Sequence, residues 1–441
     1  MDFSGSMTHL PCACLIGLLF APAGVSDGPG GAIGCKTCPG FSMATGAECP
    51  VGIALCSPVD AFVTLMKEWE TSTVFPVFLK VTRVIDPRNL APEVFMQRAL
   101  ALGVGPEIVR RLLSAIVARG VHDPIAWGRD CQIPRRLIDA IGNLSRLALE
   151  HSVVSGTDGF QKLRFRTHDG LAVETVIIPL LKPGAVSICL SSQVGCVMGC
   201  QFCATARMPR RRSLETWEII DQFIQARHLA RCTDRRVTGA VFMGMGEPFL
   251  NYERVLAAAE LLRCPFGASI AAKTITISTV GLVPEIDRYT DEGHKYRLAI
   301  SLGAATDAKR ARLVPLAART PVAAVMAAAR RHAQARRDRV TLAYVCISGE
   351  NMDQDDARAL GELIGDTPVR LDLIEVTDLT GRFHPPAADE LRSFRDALTR
   401  HVGQPIVRRY SGGKDIRAAC GTLAGEMIEE TGGGAANPRH A

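Results

Sequence analysis

No stretch of the chain is long and apolar enough to cross a bilayer. Leu15–Val25 comes nearest, but it falls well short of the ~20 residues a spanning helix needs, and no Lys or Arg precedes it as an export signal would require. Neither export nor membrane insertion is expected, and a cytoplasmic protein is. A dominant charge is missing too: 51 Lys and Arg face 45 Asp and Glu, an excess of +6. The basic residues instead cluster, at Arg135-Arg136, Arg210-Arg211-Arg212, Arg235-Arg236, Arg330-Arg331, Arg336-Arg337 and Arg408-Arg409. Such clusters suit a phosphate backbone, although any single one also fits a solvated helix face or turn. Aromatic residues make up only 5% of the chain, and few lie near those clusters. Cysteine is not scarce. Fifteen of them would suggest disulfides in a small secreted domain, but 441 residues, nearly half apolar, can bury one large core and a smaller one without such staples. The tightest cysteine spacing suits metal rather than disulfides, which points to a reducing compartment.

Residues 1–60 are rich in Gly, Pro, Ser and Cys with little periodicity, and are read as poorly ordered. Within them Cys35, Cys38, Cys49 and Cys56 have no His among them and match no zinc-finger spacing, so unstructured thiols are preferred to a zinc site. Residues 61–150 read as a small helical accessory domain, with apolar residues at intervals of three and four across Ile108, Val109, Leu112, Leu113, Ile116 and Val117. Residues 151–185 read as a β-hairpin extension, strands Lys162–Thr167 and Ala172–Pro179 joined through His168-Asp169-Gly170, where Asp-Gly favours a tight turn. From 186 to about 430, β-branched runs at Val186–Leu190, Gly239–Met243, Lys273–Thr279, Arg297–Leu302, Thr341–Ile347 and Arg370–Val376 alternate with amphipathic stretches such as Ser213–Ala230 and Tyr252–Leu262. Such alternation gives parallel strands with right-handed crossovers. Six repeats are too few for a complete eight-fold barrel. The expected α/β fold is a partial (β/α)6 barrel, open on one side to a large substrate, with 431–441 as a disordered tail.

Cys196-Val-Met-Gly-Cys200-Gln-Phe-Cys203 sets three thiols close together just after the first predicted barrel strand. A cubane cluster has four irons, so three thiolates leave one iron open. An open iron can chelate the amino and carboxylate groups of S-adenosylmethionine (SAM) and pass an electron to its sulfonium, and homolysis then gives a 5′-deoxyadenosyl radical. A zinc knuckle or buried core thiols are the alternatives, but zinc usually takes four ligands and no fourth is near.

The CxxxCxxC spacing resembles the radical SAM superfamily. Its flanks, Leu190-Ser-Ser-Gln-Val-Gly-Cys196 and Cys203-Ala-Thr, resemble the RlmN/Cfr family of RNA adenine methyltransferases, and the similarity runs from about Pro92 to about Glu430. The resemblance implies a radical SAM barrel with a [4Fe-4S] cluster on Cys196, Cys200 and Cys203. Gly246 and Glu247, in Gly244-Met245-Gly246-Glu247-Pro248, become SAM contacts; read alone, this is a strand-to-helix turn whose glycines admit a close ligand and whose carboxylate can accept from an ammonium. Ser278 matches another SAM-contacting position, and Ser301, Leu302, Gly303 and Thr377 fall in segments that resemble the rest of the SAM pocket. Cys420, in Asp415-Ile-Arg-Ala-Ala-Cys420-Gly, resembles the family's methyl carrier and Cys189 its second catalytic cysteine; alone, each reads as a small buried hydrophobe. Glu174 matches the family's proposed base, where an exposed strand carboxylate is the plainer reading.

Adenine C2 and C8 have no nucleophilic character, so a radical must make the new bond. The resemblance implies that the Cys420 thiolate takes a methyl group from one SAM, that a second SAM supplies the radical, and that Cys189 then attacks Cys420, releasing methylated RNA and leaving a transient disulfide. The implied partners are 23S rRNA or tRNA and an electron donor such as flavodoxin or ferredoxin; a monomer is expected. The RNA is expected to be held by the helical domain and the arginine clusters, Arg207–Arg212 foremost, through phosphate contacts and shape more than stacking. Three segments depart from the family pattern: Ser301-Leu302-Gly303 stands for Ser-Leu-His, Leu373–Thr377 for Leu-Ile-Pro-Trp-Asn, and Met208-Pro209-Arg210 replaces a Gly-Phe pair. Methylation at C2 is favoured. C8 methylation, radical chemistry on a peptide or small molecule, and a non-catalytic iron–sulfur RNA-binding module are the alternatives.

Overall fold

A computed structural model describes residues 85–425. The segment 1–60 with its four spaced cysteines, residues 61–84 and the tail 431–441 lie outside the described residues. The described part opens with four short helices, α1 (Pro92–Ala101), α2 (Pro106–Leu113), α3 (Pro124–Cys131) and α4 (Arg135–Ile141). The first three begin with proline, whose missing N–H has no intrahelical partner to lose at that position and whose fixed φ is already helical. The apolar face of α2 continues through Ser114–Ala118 as a π-type turn, which buries Ile116 and Val117.

Next comes an antiparallel meander of β1 (Ala148–Val154), β2 (Gln161–Arg166) and β3 (Ala172–Pro179). The expected hairpin is β2–β3. The extra strand escapes the sequence because it lies at the sheet edge, largely exposed on both faces, and so carries no apolar alternation. β4 (Ala185–Cys189) pairs antiparallel with β3, and the two-residue strands β5 (Gln193–Val194) and β6 (Arg212–Ser213) pair with each other, pinching the base of the loop between them.

Beyond α5 (Thr216–Cys232) the alternation is regular: β7 (Arg236–Phe242), α6 (Tyr252–Arg263), β8 (Ile275–Thr279), α7 (Val283–Asp291), β9 (Arg297–Ser301), α8 (Asp307–Leu313), α9 (Val322–Arg336), β10 (Val340–Cys346), α10 (Gln354–Ile364), β11 (Val369–Glu375), α11 (Ala388–His401) and β12 (Ile406–Arg408). β4, β7, β8, β9, β10 and β11 are the six expected barrel strands. All run parallel, and β12 adds a seventh too short for its sequence to show periodicity. The ten-stranded sheet runs β1-β2-β3-β4-β7-β8-β9-β10-β11-β12, with β1 and β12 unpaired to each other, so the barrel is partial.

β4 is buried along its whole length, as a strand covered on both faces must be. Capping boxes start α5 (Glu215 with Glu218) and α10 (Asp353 with Asp356). The fully buried Arg88 ties the helical segment to α5, meeting Asp86 at 2.7 Å and Asp221 at 3.4 Å, with its guanidinium 5.2 Å from the centre of the Trp217 ring. Among the described residues, no helix is long and apolar enough to cross a membrane.

Candidate active site

Cys189 ends β4, and the loop that follows carries Cys196, Cys200 and Cys203. Its path is fixed by backbone bonds: the Gln201 N–H donates to Leu313 at 2.9 Å, and the Cys203 N–H to Cys200 at 3.1 Å. Gly195 sits at φ +67°, and a Cβ there would lie 2.6 Å from the Arg210 carbonyl oxygen, so only glycine lets the two arms of the loop touch. All three cysteines are free thiols facing one cavity at the C-terminal ends of the parallel strands. Burial pushes the Cys196 thiol up to about 12 and the Cys200 thiol upward, the latter also through Cys203 and Cys196. Without a cation Cys196 and Cys200 therefore hold their protons, whereas a bound cluster would supply the positive charge that their thiolates need. The donor set therefore fits an iron–sulfur cluster.

The turn after β7 meets this loop closely. A Cβ on Gly244 would lie 2.8 Å from the Leu190 carbonyl oxygen, and one on Gly246, at φ +103°, 2.6 Å from the Gln193 side chain. These glycines thus serve the packing of the turn against residues 190–193, a reason different from the ligand approach read in the sequence, although both also line the cavity. Glu247 is buried at the cavity wall. Its Oε1 accepts from the Phe249 N–H at 3.0 Å and its Oε2 from the Val280 N–H at 2.9 Å, which joins the β7 turn to the end of β8. Burial raises it from its ordinary 4.5 to about 7. The Thr279 side chain donates a third hydrogen bond to the same carboxylate.

Ser278, Ser301, Gly303 and Thr377 follow around the same cavity. Thr377 is informative, because its Oγ1 is buried without a hydrogen-bond partner. A hydroxyl in that state awaits a ligand atom, which supports a polar molecule such as SAM in the cavity. Leu302 departs from expectation. Its side chain is buried in the core, and its backbone is used in pairing with Ala343 and in accepting from the Arg310 guanidinium. It lies off the cavity wall because strand alternation turns it away from its neighbours Ser301 and Gly303.

Cys420, exposed, faces Cys189 across this cavity from a C-terminal loop held on several sides. The Cys420 N–H donates to Ser411 Oγ at 3.0 Å, the Ala204 N–H to the Gly421 carbonyl at 2.7 Å, and Thr205 Oγ1 to the Leu423 carbonyl at 2.6 Å. Glu174 is fully buried rather than exposed. It pairs with Lys162 at 3.0 Å, and its Oε2 accepts from the Ala424 and Gly425 N–H groups at 3.0 and 3.2 Å. It therefore lies behind the loop and does not line the cavity. The β1–β2 turn grips the other side: Asp158 Oδ2 accepts from the Tyr410 hydroxyl and the Gly413 N–H, both at 2.8 Å, and the Gly156 N–H donates to Asp415 at 3.0 Å. Burial and the neighbouring Cys420 push the Cys189 thiol up to about 12, and Arg409 pulls the other way. Arg409 also lines the cavity, with Nη1 3.1 Å from Met243 Sδ.

Sequence reasoning missed Lys162, whose partner Glu174 sits on the neighbouring strand, and Asp158, whose partners are far away in the chain, and gave Arg409 only a phosphate role. Several clustered arginines are engaged within the protein. Arg212 meets Glu218 at 2.8 Å and Asp169 at 2.7 Å, Arg331 meets Asp287 at 2.7 Å, Arg135 meets Asp139 at 2.8 Å, and Arg408 pairs with Glu375. Of the stretch after the cluster loop, Arg207, Arg210 and Arg211 are exposed.

Residues 190–360 match the Radical SAM superfamily. A "Probable RNA methyltransferase" of Myxococcus xanthus is 45% identical over 352 residues, 78% of this chain and 95% of its own length. A "Probable dual-specificity RNA methyltransferase RlmN" of Heliobacterium modesticaldum is 40% identical, covering 77% of this chain and 89% of its own. The crystal structure of a radical SAM methyltransferase from Sphaerobacter thermophilus superposes with a TM-score of 0.69 at 34% identity, over 77% of this chain and 99% of that one. With the thiol-lined cavity at the open end of the barrel, these similarities establish that the chain belongs to the RlmN-like radical SAM RNA methyltransferases.

Proposed function

We propose that the protein methylates an adenine carbon of rRNA or tRNA, C2 in preference to C8, with Cys420 as the methyl carrier. The supporting observation is that Cys420 and Cys189 face the same cavity as the three cysteines suited to a cluster. Cys196, Cys200 and Cys203 would hold a [4Fe-4S] cluster, and Gly246, Glu247, Ser278, Ser301, Gly303 and Thr377 would line the space for SAM. When bound, these groups supply the electron, the radical and the methyl group, with two SAM molecules used per turnover.

The chain's own part rests on two thiols. Cys420 Sγ accepts the methyl group and delivers its carbon to the ring. Cys189 then loses its proton and attacks Cys420 Sγ; the bond from that sulfur to the transferred carbon breaks, with its electron pair passing to that carbon and into the ring. The carbon takes up a proton to become the methyl group, and a Cys189–Cys420 disulfide remains for a two-electron reductant to open. Arg409 favours the Cys189 thiolate that this attack needs, against the burial that disfavours it. Glu174 takes the ring proton only once the Ala424 and Gly425 N–H groups release its Oε2; as folded here, its carboxylate serves the loop. The experiment is anaerobic incubation of reconstituted protein with SAM, a low-potential reductant and rRNA or tRNA, followed by nucleoside mass analysis. 2-Methyladenosine is expected. Formation of 5′-deoxyadenosine without any methyladenosine would overturn the RNA assignment.

A further inference from the structure

The five tyrosines of this chain fall into two groups. Tyr252, Tyr289, Tyr296 and Tyr344 are buried, whereas Tyr410 is 69% exposed and is the one exposed Phe, Tyr or Trp ring among the described residues. It stands at the cavity that holds Cys420. The ring is held in place while it stays wet. Its hydroxyl donates to Asp158, and Phe160 meets it edge-on, with centroids 6.1 Å apart and planes at 69°. Gly412 completes the arrangement, because a Cβ there would lie 2.4 Å from both Asp158 Oδ2 and Phe160 Cε2 and 2.6 Å from Tyr410 Cε1. A ring that packs for stability would turn inward. This one is braced from behind, with a face left to solvent at the mouth of a reaction cavity.

We infer that the Tyr410 ring is a stacking platform for a base of the RNA substrate beside the nucleotide that enters the cavity. The inference rests on the RNA-methyltransferase reading above. A base has a π face whatever its identity, so such a platform orders the strand without reading its sequence. Because the hydroxyl already restrains the ring, little side-chain freedom is lost when a base settles on it. The platform adds one stacking contact to a recognition otherwise expected to lean on phosphates and shape: a single well-placed ring suffices for one base.

The test compares reconstituted full-length protein with its Tyr410→Phe, Tyr410→Leu and Tyr410→Ala variants. Binding is read with a fluorescein-labelled RNA hairpin carrying adenines in its loop, over a series of salt concentrations. Tyr410→Phe keeps the ring and should bind within about threefold of wild type. Tyr410→Leu and Tyr410→Ala should each bind roughly 5- to 150-fold more weakly. The slope of log affinity against log salt should not change, because no phosphate contact is lost. Iron content and far-UV circular dichroism should match wild type in all three. Equal binding by Tyr410→Leu, or a loss in Tyr410→Phe as large as in Tyr410→Ala, overturns the platform. If wild-type protein makes methyladenosine and the variants bind normally, only the platform falls. If wild-type protein methylates no RNA, the function reading falls and the platform falls with it.

Discussion

In the parallel half of the sheet, from β4 to β12, the groups of interest point into the cavity from the ends of strands: thiols after β4, Glu247 after β7, Ser278 in β8, Thr377 after β11. In the antiparallel half the carboxylates of Asp158 and Glu174 do not line the cavity and, as folded, accept hydrogen bonds from the loop that carries Cys420. The difference shows how a C-terminal loop becomes one wall of the cavity. A barrel builds sites at one rim because its strands all end there. A thiol arriving from the far end of the chain needs separate anchors, and three extra strands provide them.

Exchanging residues between the two classes would break this comparison. The largest effect belongs to Cys420→Ala, which should abolish methyladenosine formation in the nucleoside assay while leaving iron content intact. Cys189→Ala should also stop turnover, but at a later stage: RNA should remain covalently joined to Cys420, visible as a protein band shifted on a denaturing gel and restored by nuclease. Absence of that adduct would remove the resolving role from Cys189.

Glu174 sharpens the comparison further. Glu174→Ala strips a buried Lys162 of its partner and should lower unfolding free energy by ~3–5 kcal/mol in a denaturant titration. Glu174→Gln, which keeps an acceptor for the Ala424 and Gly425 N–H groups, should recover much of the activity lost in Glu174→Ala. No recovery would mark a proton-transfer role rather than an anchoring one.

Within the barrel, Glu247 predicts a pH effect on the protein without its cofactors. Its folded carboxyl is raised from 4.5 to about 7, so it holds a proton that the unfolded chain has already released. The stability from this group is complete below 4.5 and is lost as pH rises to about 7. The wild-type minus Glu247→Gln difference in unfolding free energy should fall across that window and then level. A flat difference would show that the carboxylate is not held as the fold implies. The smallest effect is that of Asp158→Asn, ~1.5–3 kcal/mol, since it turns the charge-assisted hydrogen bonds from Tyr410 and Gly413 into weaker neutral ones without stranding a charge.

Much of this was legible in the chain itself. The cysteine spacing and the six alternating β runs needed no tertiary information, because a metal loop is local and a strand writes its burial into consecutive residues. The glycines after β7 were visible as glycines, but their reason was not: Gly244 and Gly246 make room for residues 190–193, which only packing reveals. Leu302 was assigned to the pocket by its neighbours, and strand alternation turns it into the core. β1 left no pattern, since an edge strand exposed on both faces has no apolar side to record.

The residues alone determined that thiols suited to an iron–sulfur cluster follow the first of a series of parallel strands, and that a further cysteine lies near the end. Tertiary structure decided that Cys189 and Cys420 face one cavity, that Glu174 stands behind the loop rather than in the site, and that one tyrosine of five stays wet at the mouth. The reason is distance along the chain. Short-range spacing constrains what a loop can bind, whereas the meeting of residues 158, 174, 189 and 420 exists only once the sheet has folded them together.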